Sequence, residues 1–433
     1  MFRYYAWLAA RSLRKNPALT ALMVLAIGLG IGASITTLTV LRVLSGDPIP
    51  AKSAQLFYPQ VDPRSINDYH PGEAPAEQVT YPDGMNLLKA KRADRQALMT
   101  GGGAVVLPDS AAIDPFSVDA RYTTADFFAM FDVPFQYGGG WKATDDDAHA
   151  RDVVISKSLN QKVFSGGNSV GKTLRIQSTD FRVVGVLDNW RPTPHFYDLN
   201  SARYSDYEEI FLPLSTAMEL EFGRNGSMDC WDNTADGDQV HSPNCSWLQF
   251  WVELDSPDKV KAYKAFLNNY SDEQRSQGRF PRPNNVRLPN VMQWLDDQKV
   301  VPSDVRLQVW LSFGFLAVCL VNTIGLMLAK FLRRNGEIAV RRAIGAPRRE
   351  IFAQFLVEAG AVGVAGAVIG LLLALLGLWG VRQQAADYAS LAHIDPTMLL
   401  MTLLLAVITA LLSGLLPAWR ACQVTPALQL KSD

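Results

Sequence analysis

The residues that most resemble catalytic motifs lie in the stretch 166–173, which reads GGNSVGKT. It fits G-x-x-x-x-G-K-[ST], a loop that cradles phosphate, and G-x-S-x-G, a turn that presents a nucleophilic serine such as Ser169. Both mechanisms need a strand before the loop and a helix after it. The local pattern predicts the reverse order, with a helix at Ser156–Phe164 and a strand at Thr173–Ile176. We therefore predict a structural turn.

Metal-ligand patterns are equally incomplete. The loop Asp232–Gly237 partly fits a calcium site through Asp232, Thr234 and Asp236, but Pro243 occupies the position of the bidentate glutamate. This favours a solvated acidic loop. The 5 histidines contain no H-E-x-x-H, and the 4 cysteines lack zinc spacing. We predict no catalytic site, metal site or cofactor in this chain.

Four uncharged apolar runs are the main structural elements that would hold any functional residue in place. Each has 23 to 26 residues, enough to cross the hydrocarbon of a bilayer. They are Asn16–Leu41, Leu307–Ala329, Ala359–Val381 and Pro396–Trp419. No small-residue cleavage site follows the first run before Arg42, so we predict an uncleaved anchor.

Charge is divided unevenly between the polar block and the rest of the chain. Residues 46–305 carry 25 Lys and Arg against 36 Asp and Glu, whereas the remaining residues carry 16 against 6. The outlying basic residues precede the first run, separate the second from the third, and follow the fourth. By the positive-inside rule these segments are cytoplasmic, which places the block 46–305 outside and both termini inside.

The outer block alternates predicted strands and helices, as α+β domains do. We predict strands at Ser117–Tyr122, Asp152–Ile155, Thr173–Ile176, Phe181–Leu187, Glu209–Pro213 and Trp247–Leu254. Helices are predicted at Val79–Leu98, Thr124–Phe131 with Thr124 as its cap, Ser156–Phe164, Ser215–Phe222 and Pro257–Asn269.

Cys230 and Cys245 lie in this outer block, whereas Cys319 lies in a run and Cys422 on the inner side. An oxidising compartment permits a disulfide, and closing a loop this short would stabilise the fold by about 3 kcal/mol. We predict the bridge. The alternative is two buried free thiols.

Glycines recur at helical spacing within two of the apolar runs, and one carboxylate lies at the edge of the third run. Gly28 and Gly32, and likewise Gly366 and Gly370, form G-x-x-x-G faces that let helices approach closely. Packing within the chain and dimerisation explain these faces equally well. For Glu358, at the inner edge of the third run, we expect an interfacial carboxylate that reaches toward water rather than a buried partner of an arginine.

Six residues define a short amphipathic helix and its end between the second and third runs: Glu337, Val340, Arg341, Ile344, Gly345 and Pro347. The acid precedes the base by four residues, the two branched apolar residues share a face, and the glycine and proline stop the helix. A partner that grips this helix could transmit force to two spans. The alternative is a helix that lies on lipid headgroups with solvated arginines.

The same loop resembles the E-I-x-x-R-R-x-x-G-A cytoplasmic segment of the FtsX-like permeases of ABC transporters. Arg14–Pro17 and Leu416–Ala421 resemble the two ends of these permeases. In the outer block, Val153–Ser156, Val183–Val186 and Phe211–Ser215 resemble the MacB-type periplasmic core domain. The resemblance covers nearly the whole chain.

The resemblance implies an α-helical membrane protein with four transmembrane helices and a large α+β periplasmic domain inserted between helices 1 and 2. The expected segments are a cytoplasmic interfacial helix 1–15, transmembrane helix 1 at 16–45, the core domain at 46–305, helix 2 at 306–331, a coupling loop at 332–350, helix 3 at 351–381, a short periplasmic loop at 382–395, helix 4 at 396–419 and a cytoplasmic tail at 420–433.

The resemblance also implies a function. A separate cytoplasmic ATPase, which holds ATP and Mg²⁺, would move the helix Glu337–Pro347, and the spans would carry this motion to the block 46–305. Expected partners are that ATPase, a second permease copy or paralogue, a periplasmic adaptor protein and the lipid bilayer, with no nucleic acid. We expect a non-enzymatic permease of the bacterial inner membrane, without a fused ATPase domain, that exports hydrophobic compounds, peptides or envelope components. The alternative is a non-transporting sensor or activator of an envelope enzyme or of lipoprotein machinery.

Overall fold

A computed structural model describes the chain between residues 16 and 422 with several gaps. The described residues are 16–108, 113–201, 203–204, 207–231, 238–333, 336, 340, 344–383 and 396–422. The predicted interfacial helix 1–15, most of the predicted loop 382–395 and the tail from 423 onward lie outside them. The chain forms two compact units. We call Gly46–Val300 the sheet unit, and the residues before and after it the helix unit.

The described helices and strands, in chain order, are α1 (Pro17–Ser45), β1 (Leu56–Phe57), β2 (Val79–Thr80), α2 (Tyr81–Ala90), β3 (Arg95–Leu107), β4 (Phe116–Thr123), α3 (Asp126–Met130), β5 (Phe135–Gly138), α4 (Ala143–Asp147), β6 (Asp152–Ile155), α5 (Lys157–Phe164), β7 (Thr173–Ile176), β8 (Thr179–Leu187), β9 (Ile210–Pro213), α6 (Leu214–Glu219), β10 (Asp229–Cys230), β11 (Cys245–Glu253), α7 (Pro257–Ser276), α8 (Val291–Asp297), α9 (Ser303–Leu332), α10 (Arg348–Arg382) and α11 (Pro396–Cys422).

The described part of the helix unit includes the long helices α1, α9, α10 and α11, which coincide closely with the four apolar runs. All four are long and apolar enough to cross a membrane. Helix α10 begins at Arg348, eleven residues before the uncharged run starts at Ala359, because Pro347 is its N-cap and no helix-breaking residue intervenes.

Helix α1 packs against α9, α10 and α11, and its contacts with α9 and α10 are the most extensive. Its buried residues include Ile27, Ile31 and Ile35, which recur every four residues and therefore share one face. Large apolar side chains such as Trp310 and Leu403 are exposed on the neighbouring helices. An apolar outer surface of this kind suits contact with lipid.

The described residues of the sheet unit form a mixed sheet of eleven strands. Its main path runs β1-β11-β3-β4-β9-β6-β8-β5, while β10 and β2 pair with β11, and β7 pairs with β3 and β8. The pairs β4–β9 and β6–β8 are parallel, and the others on the path are antiparallel. Helices α2, α5 and α6 contact the sheet. The unit is therefore an α+β domain, as the sequence predicts.

Local predictions are most accurate where the turn chemistry is explicit. Strand β6 has the predicted bounds, and α5 begins one residue late because Ser156 is its N-cap, where the Ser156 side chain accepts a hydrogen bond from Leu159 N at 3.0 Å. Strands β7 and β8, both of which the sequence predicts, pair as an antiparallel hairpin.

Two predictions in this unit are wrong. The helix predicted over Val79–Leu98 ends at Ala90, because Lys91 takes a left-handed conformation with φ +48° and the following residues pair with β11 as β3. Thr124 is not a helix cap, since α3 begins after Ala125. The Thr124 hydroxyl instead accepts a hydrogen bond from Leu98 N at 3.2 Å.

Candidate functional site

The motif-like stretch 166–173 is a turn between α5 and β7, with the helix before it and the strand after it. Ser169 is buried, and its Oγ donates a hydrogen bond to Asn160 Oδ1 at 2.7 Å. Gly171 has φ +87°, a conformation that favours glycine. These residues hold the turn together, and the geometry offers neither a phosphate cradle at a helix N-terminus nor a presented nucleophile.

No group of three or more potential metal ligands is present among the described residues. The calcium-like loop Asp232–Gly237 lies outside them. Its flanks are joined, because a disulfide links Cys230 of β10 to Cys245 of β11, with their Cα atoms 4.1 Å apart on neighbouring strands. The bridge therefore links the two strands that precede and follow this part of the chain.

The two G-x-x-x-G faces pack on each other within the chain. A Cβ atom at Gly28 would lie 3.3 Å from the carbonyl oxygen of Gly366, and one at Gly32 would lie 3.1 Å from that of Gly370. A Cβ at Gly370 would in turn lie 3.1 Å from the carbonyl oxygen of Gly28. The backbones of α1 and α10 thus approach closely, which only small residues permit.

A third glycine of α1 forms a second close contact, which the sequence analysis missed. A Cβ at Gly30 would lie 3.2 Å from Leu316 Cα of α9. Gly30 is two residues from Gly28 and from Gly32, about 200° around the helix, so it faces away from α10. Helix α1 is therefore held closely on two sides. The alternating pattern Gly28, Gly30, Gly32 is the signal that could have revealed this.

The expectation for Glu358 is wrong. Its side chain is only 1% exposed, and its Oε1 lies 2.5 Å from Nζ of Lys330, which is also 1% exposed. The partner is a lysine at the end of α9 rather than an arginine. Charge counting concealed this pair, because Lys330 is one of several basic residues that follow the second apolar run.

The predicted coupling helix is described only in part. Val340 is 50% exposed and Ile344 is 81% exposed, and Ile344 N donates a hydrogen bond to Val340 O at 3.1 Å, as in one helical turn. Gly345, with φ +106°, ends this turn, and Pro347 caps α10. Glu337 and Arg341 lie outside the described residues. We call residues 336–347 the coupling segment; its two branched apolar side chains are available to a partner.

Family models match most of the chain. The model for the MacB-like periplasmic core domain matches residues 20–270, and the model for the FtsX-like permease C-terminal region matches residues 309–426. The chain belongs to the FtsX-like permeases with a MacB-like core domain. It is a multi-pass membrane permease of the ABC transporter class, in which the core domain lies between the first helix and the other three.

Named relatives of this permease agree with the family. The pyoverdine export ATP-binding/permease protein PvdT of Pseudomonas entomophila is 28% identical over 340 residues, which are 77% of this chain and 45% of the relative. The macrolide export ATP-binding/permease protein MacB of Rhodospirillum rubrum is 24% identical over 98% of this chain and 60% of its own length. The chain thus spans about half of the length of such relatives.

A solved structure also resembles the permease. The periplasmic region of MacB from Actinobacillus actinomycetemcomitans covers 60% of this chain and 99% of its own, with 14% identity and a TM-score of 0.37.

The core domain of this permease contains a buried ionic cluster. Arg121 of β4 donates hydrogen bonds to Asp198 Oδ2 at 2.7 Å and to Glu208 Oε1 at 2.8 Å, and Tyr197 Oη donates to Glu208 Oε2 at 2.8 Å. Burial raises the pKa of Glu208, but the Arg121 charge, the neighbouring His195 and the hydrogen bonds from both residues together hold this pKa well below its ordinary value. Both carboxylates therefore remain ionised partners of one guanidinium.

A cleft of about 870 Å³ lies beside this cluster, lined by Trp190, Tyr207, Phe211 and Glu208 among others. Trp190 stacks on Tyr197 with ring centroids 5.4 Å apart. The cleft has the size of typical ligand pockets, and Glu208 joins its lining to the buried cluster.

Proposed function

We propose that this permease couples ATP hydrolysis by a cytoplasmic ABC ATPase to conformational change in its periplasmic core domain. The observation that carries the proposal is the glycine contact between α1 and α10. Helix α10 begins where the coupling segment ends, and α1 leads along the chain into the sheet unit. A displacement of the segment would therefore move α10 and, through the close backbone contact, α1.

Helix α9 supplies a parallel route. It follows the sheet unit in the chain and leads directly to the coupling segment. Ser312 of α9 and Thr37 of α1 share a hydrogen bond with their Oγ atoms 2.9 Å apart, and Ser34 Oγ donates to Ser312 O at 3.3 Å. Directional bonds of this kind fix the register of two helices in a medium where apolar packing alone does not.

The coupling segment has the surface that an ATPase partner would need. Val340 and Ile344 are exposed apolar side chains next to several arginines, and burying them in a groove would favour association. In this proposal the ATP and Mg²⁺ belong to the ATPase, and the permease contributes no catalytic group.

We infer the class of cargo and the further partners from the names of the relatives. Proteins named for macrolide export and pyoverdine export suggest that this permease exports hydrophobic compounds, peptides or envelope components. We place it in the bacterial inner membrane, paired with a second copy or a paralogue. Its core domain would engage the cargo or a periplasmic adaptor, for which the cleft beside Trp190 is a suitable surface.

The double variant Val340→Asp and Ile344→Asp tests the proposal. An unpaired carboxylate in an apolar interface costs several kcal/mol, so the ATPase should no longer copurify and its stimulation should be lost. Membrane insertion should persist, because both positions lie outside the apolar runs. Ile66→Asp, at an exposed apolar position of the sheet unit, is the matched control. Unchanged ATPase recovery and stimulation in the double variant would refute the proposal.

A further inference from the structure

The ion pair Lys330–Glu358 closes a loop that contains the whole coupling segment. Lys330 lies two residues before the end of α9 at Leu332, and Glu358 lies about three turns into α10. Both side chains are buried and their charged atoms are 2.5 Å apart. The ion pair therefore joins the two helices that precede and follow the coupling segment in the chain.

An aromatic contact reinforces this point. Phe331 and Phe355 have ring centroids 4.0 Å apart. Phe331 follows Lys330 directly, and Phe355 is three residues from Glu358, so it lies on the same face of α10. Elsewhere along their lengths, α9 and α10 each pack on α1 and α11. The Phe331–Phe355 contact and the Lys330–Glu358 ion pair thus together connect α9 and α10 next to the coupling segment.

The ion pair differs physically from the apolar contacts around it. Apolar side chains that separate in a membrane are covered by lipid tails, so their separation meets little resistance. Opposite charges that separate there each remain unpaired in a medium of low dielectric constant, which is strongly unfavourable. A buried ion pair consequently resists a separating load much better than an apolar pair of similar size.

We propose that Lys330 and Glu358 are positioning residues that form an ionic latch between the ends of α9 and α10. The latch makes both helices move as one body when an ATPase displaces the coupling segment. Without this ion pair, a force on the coupling segment would separate the ends of α9 and α10 instead of moving α1. This inference rests on the proposed function, because it assigns a role within the same coupling route.

Two single variants and one control test the latch in the full-length permease, copurified with its ATPase and placed in lipid nanodiscs. Lys330→Met and Glu358→Gln leave Val340 and Ile344 intact, so ATPase recovery should equal that of the wild type. Stimulation of ATP hydrolysis should fall about tenfold, the change expected from losing a coupling free energy of ordinary size. Glu350→Gln, an exposed carboxylate in the first turn of α10, is the control and should leave stimulation unchanged.

The double variant Lys330→Met with Glu358→Leu separates the latch from a purely structural contact. It leaves no unpaired buried charge, so it should insert and unfold at a temperature close to that of the wild type. The latch predicts that its stimulation stays low although it is folded and binds the ATPase. Restored stimulation in this variant, or normal stimulation in both single variants, would overturn the latch. A wild-type permease that recovers no ATPase would instead refute the proposed function.

Discussion

Buried charges mark the residues on which both units depend. In the sheet unit Arg121 pairs with both Asp198 and Glu208, and in the helix unit Lys330 pairs with Glu358. Each of these groups has lost its water, so each is tolerated only beside its partner. Removing one member of such a pair is therefore more harmful than removing an exposed charge.

Arg121→Met should destabilise the sheet unit by about 3–5 kcal/mol, because it leaves two buried carboxylates without their cation. Arg175→Met removes an exposed arginine 3.8 Å from Asp180 and should change stability by less than about 1 kcal/mol. Chemical denaturation of the purified protein, monitored by tryptophan fluorescence, measures both. Equal effects of the two substitutions would contradict the importance of the cluster.

Asp146 gives the sheet unit a specific pH dependence. Burial raises its pKa to about 6, against hydrogen bonds from Ala125 N and Trp141 Nε1 that lower it. The pKa of Asp146 is higher in the folded protein than in the unfolded chain. The protonated Asp146 side chain therefore contributes fully to the stability of the fold below about pH 4, and this contribution is lost as the pH rises through about 6.

Asp146→Asn removes this titration. The difference in unfolding temperature between wild type and variant should therefore depend on pH between about 4 and 7, with the wild type losing stability relative to the variant as the pH rises. Thermal unfolding across this range measures the difference. A constant difference would show that Asp146 keeps an ordinary pKa.

At the level of elements, α1 is the helix on which the coupling route depends, because α9 and α10 approach its glycines from two sides. Gly32→Leu should disrupt the contact with α10, since a Cβ there already lies 2.8 Å from Leu373 Cβ and 3.1 Å from a carbonyl oxygen. We expect a lower unfolding temperature for the single chain and lost ATPase stimulation.

Gly325→Leu in α9 is the matched control, because no atom lies within 4 Å of its Cβ position. If Gly32 serves only dimerisation, Gly32→Leu would yield a monomer as stable as the wild-type monomer. Size-exclusion chromatography with light scattering, combined with thermal unfolding, distinguishes the two outcomes.

The elements differ in how well the sequence predicts them, and glycine explains much of the difference. Strand β3 is missed because Gly101, Gly102 and Gly103 interrupt its pattern, and glycine is depleted in strands. In the structure a Cβ at Gly102 would lie 2.3 Å from the ring of Tyr122, so the glycine makes room for a side chain of β4. Such a requirement comes from the tertiary fold and leaves no periodic signal.

In the helix unit, by contrast, uncharged length alone predicts all four helices. The sequence also reveals the glycine faces, but it does not reveal that they meet, because within-chain packing and dimerisation need the same residues. The pair Lys330–Glu358 escapes prediction for a related reason: its members are 28 positions apart, and only the packing of α9 and α10 on the other two helices brings them together.

For the whole molecule, the division of charge predicts the topology. In a background with Cys319 and Cys422 replaced by serine, a cysteine at Ser276, which is exposed in the sheet unit, should react with an impermeant maleimide in spheroplasts. A cysteine at Ile344 should react only after the membrane is permeabilised. The opposite pattern would invert the arrangement and remove the coupling segment from the reach of a cytoplasmic ATPase.

The central claim is that the coupling segment transmits nucleotide-driven motion to the core domain. Hydrogen exchange of the permease–ATPase complex in nanodiscs, with and without a non-hydrolysable ATP analogue, measures this most directly. We predict that the analogue changes exchange in peptides of the sheet unit, and that Val340→Asp with Ile344→Asp abolishes this change while the exchange of the nucleotide-free permease stays as in the wild type. If the analogue leaves hydrogen exchange in the sheet unit of the wild-type complex unchanged, this result would contradict the account.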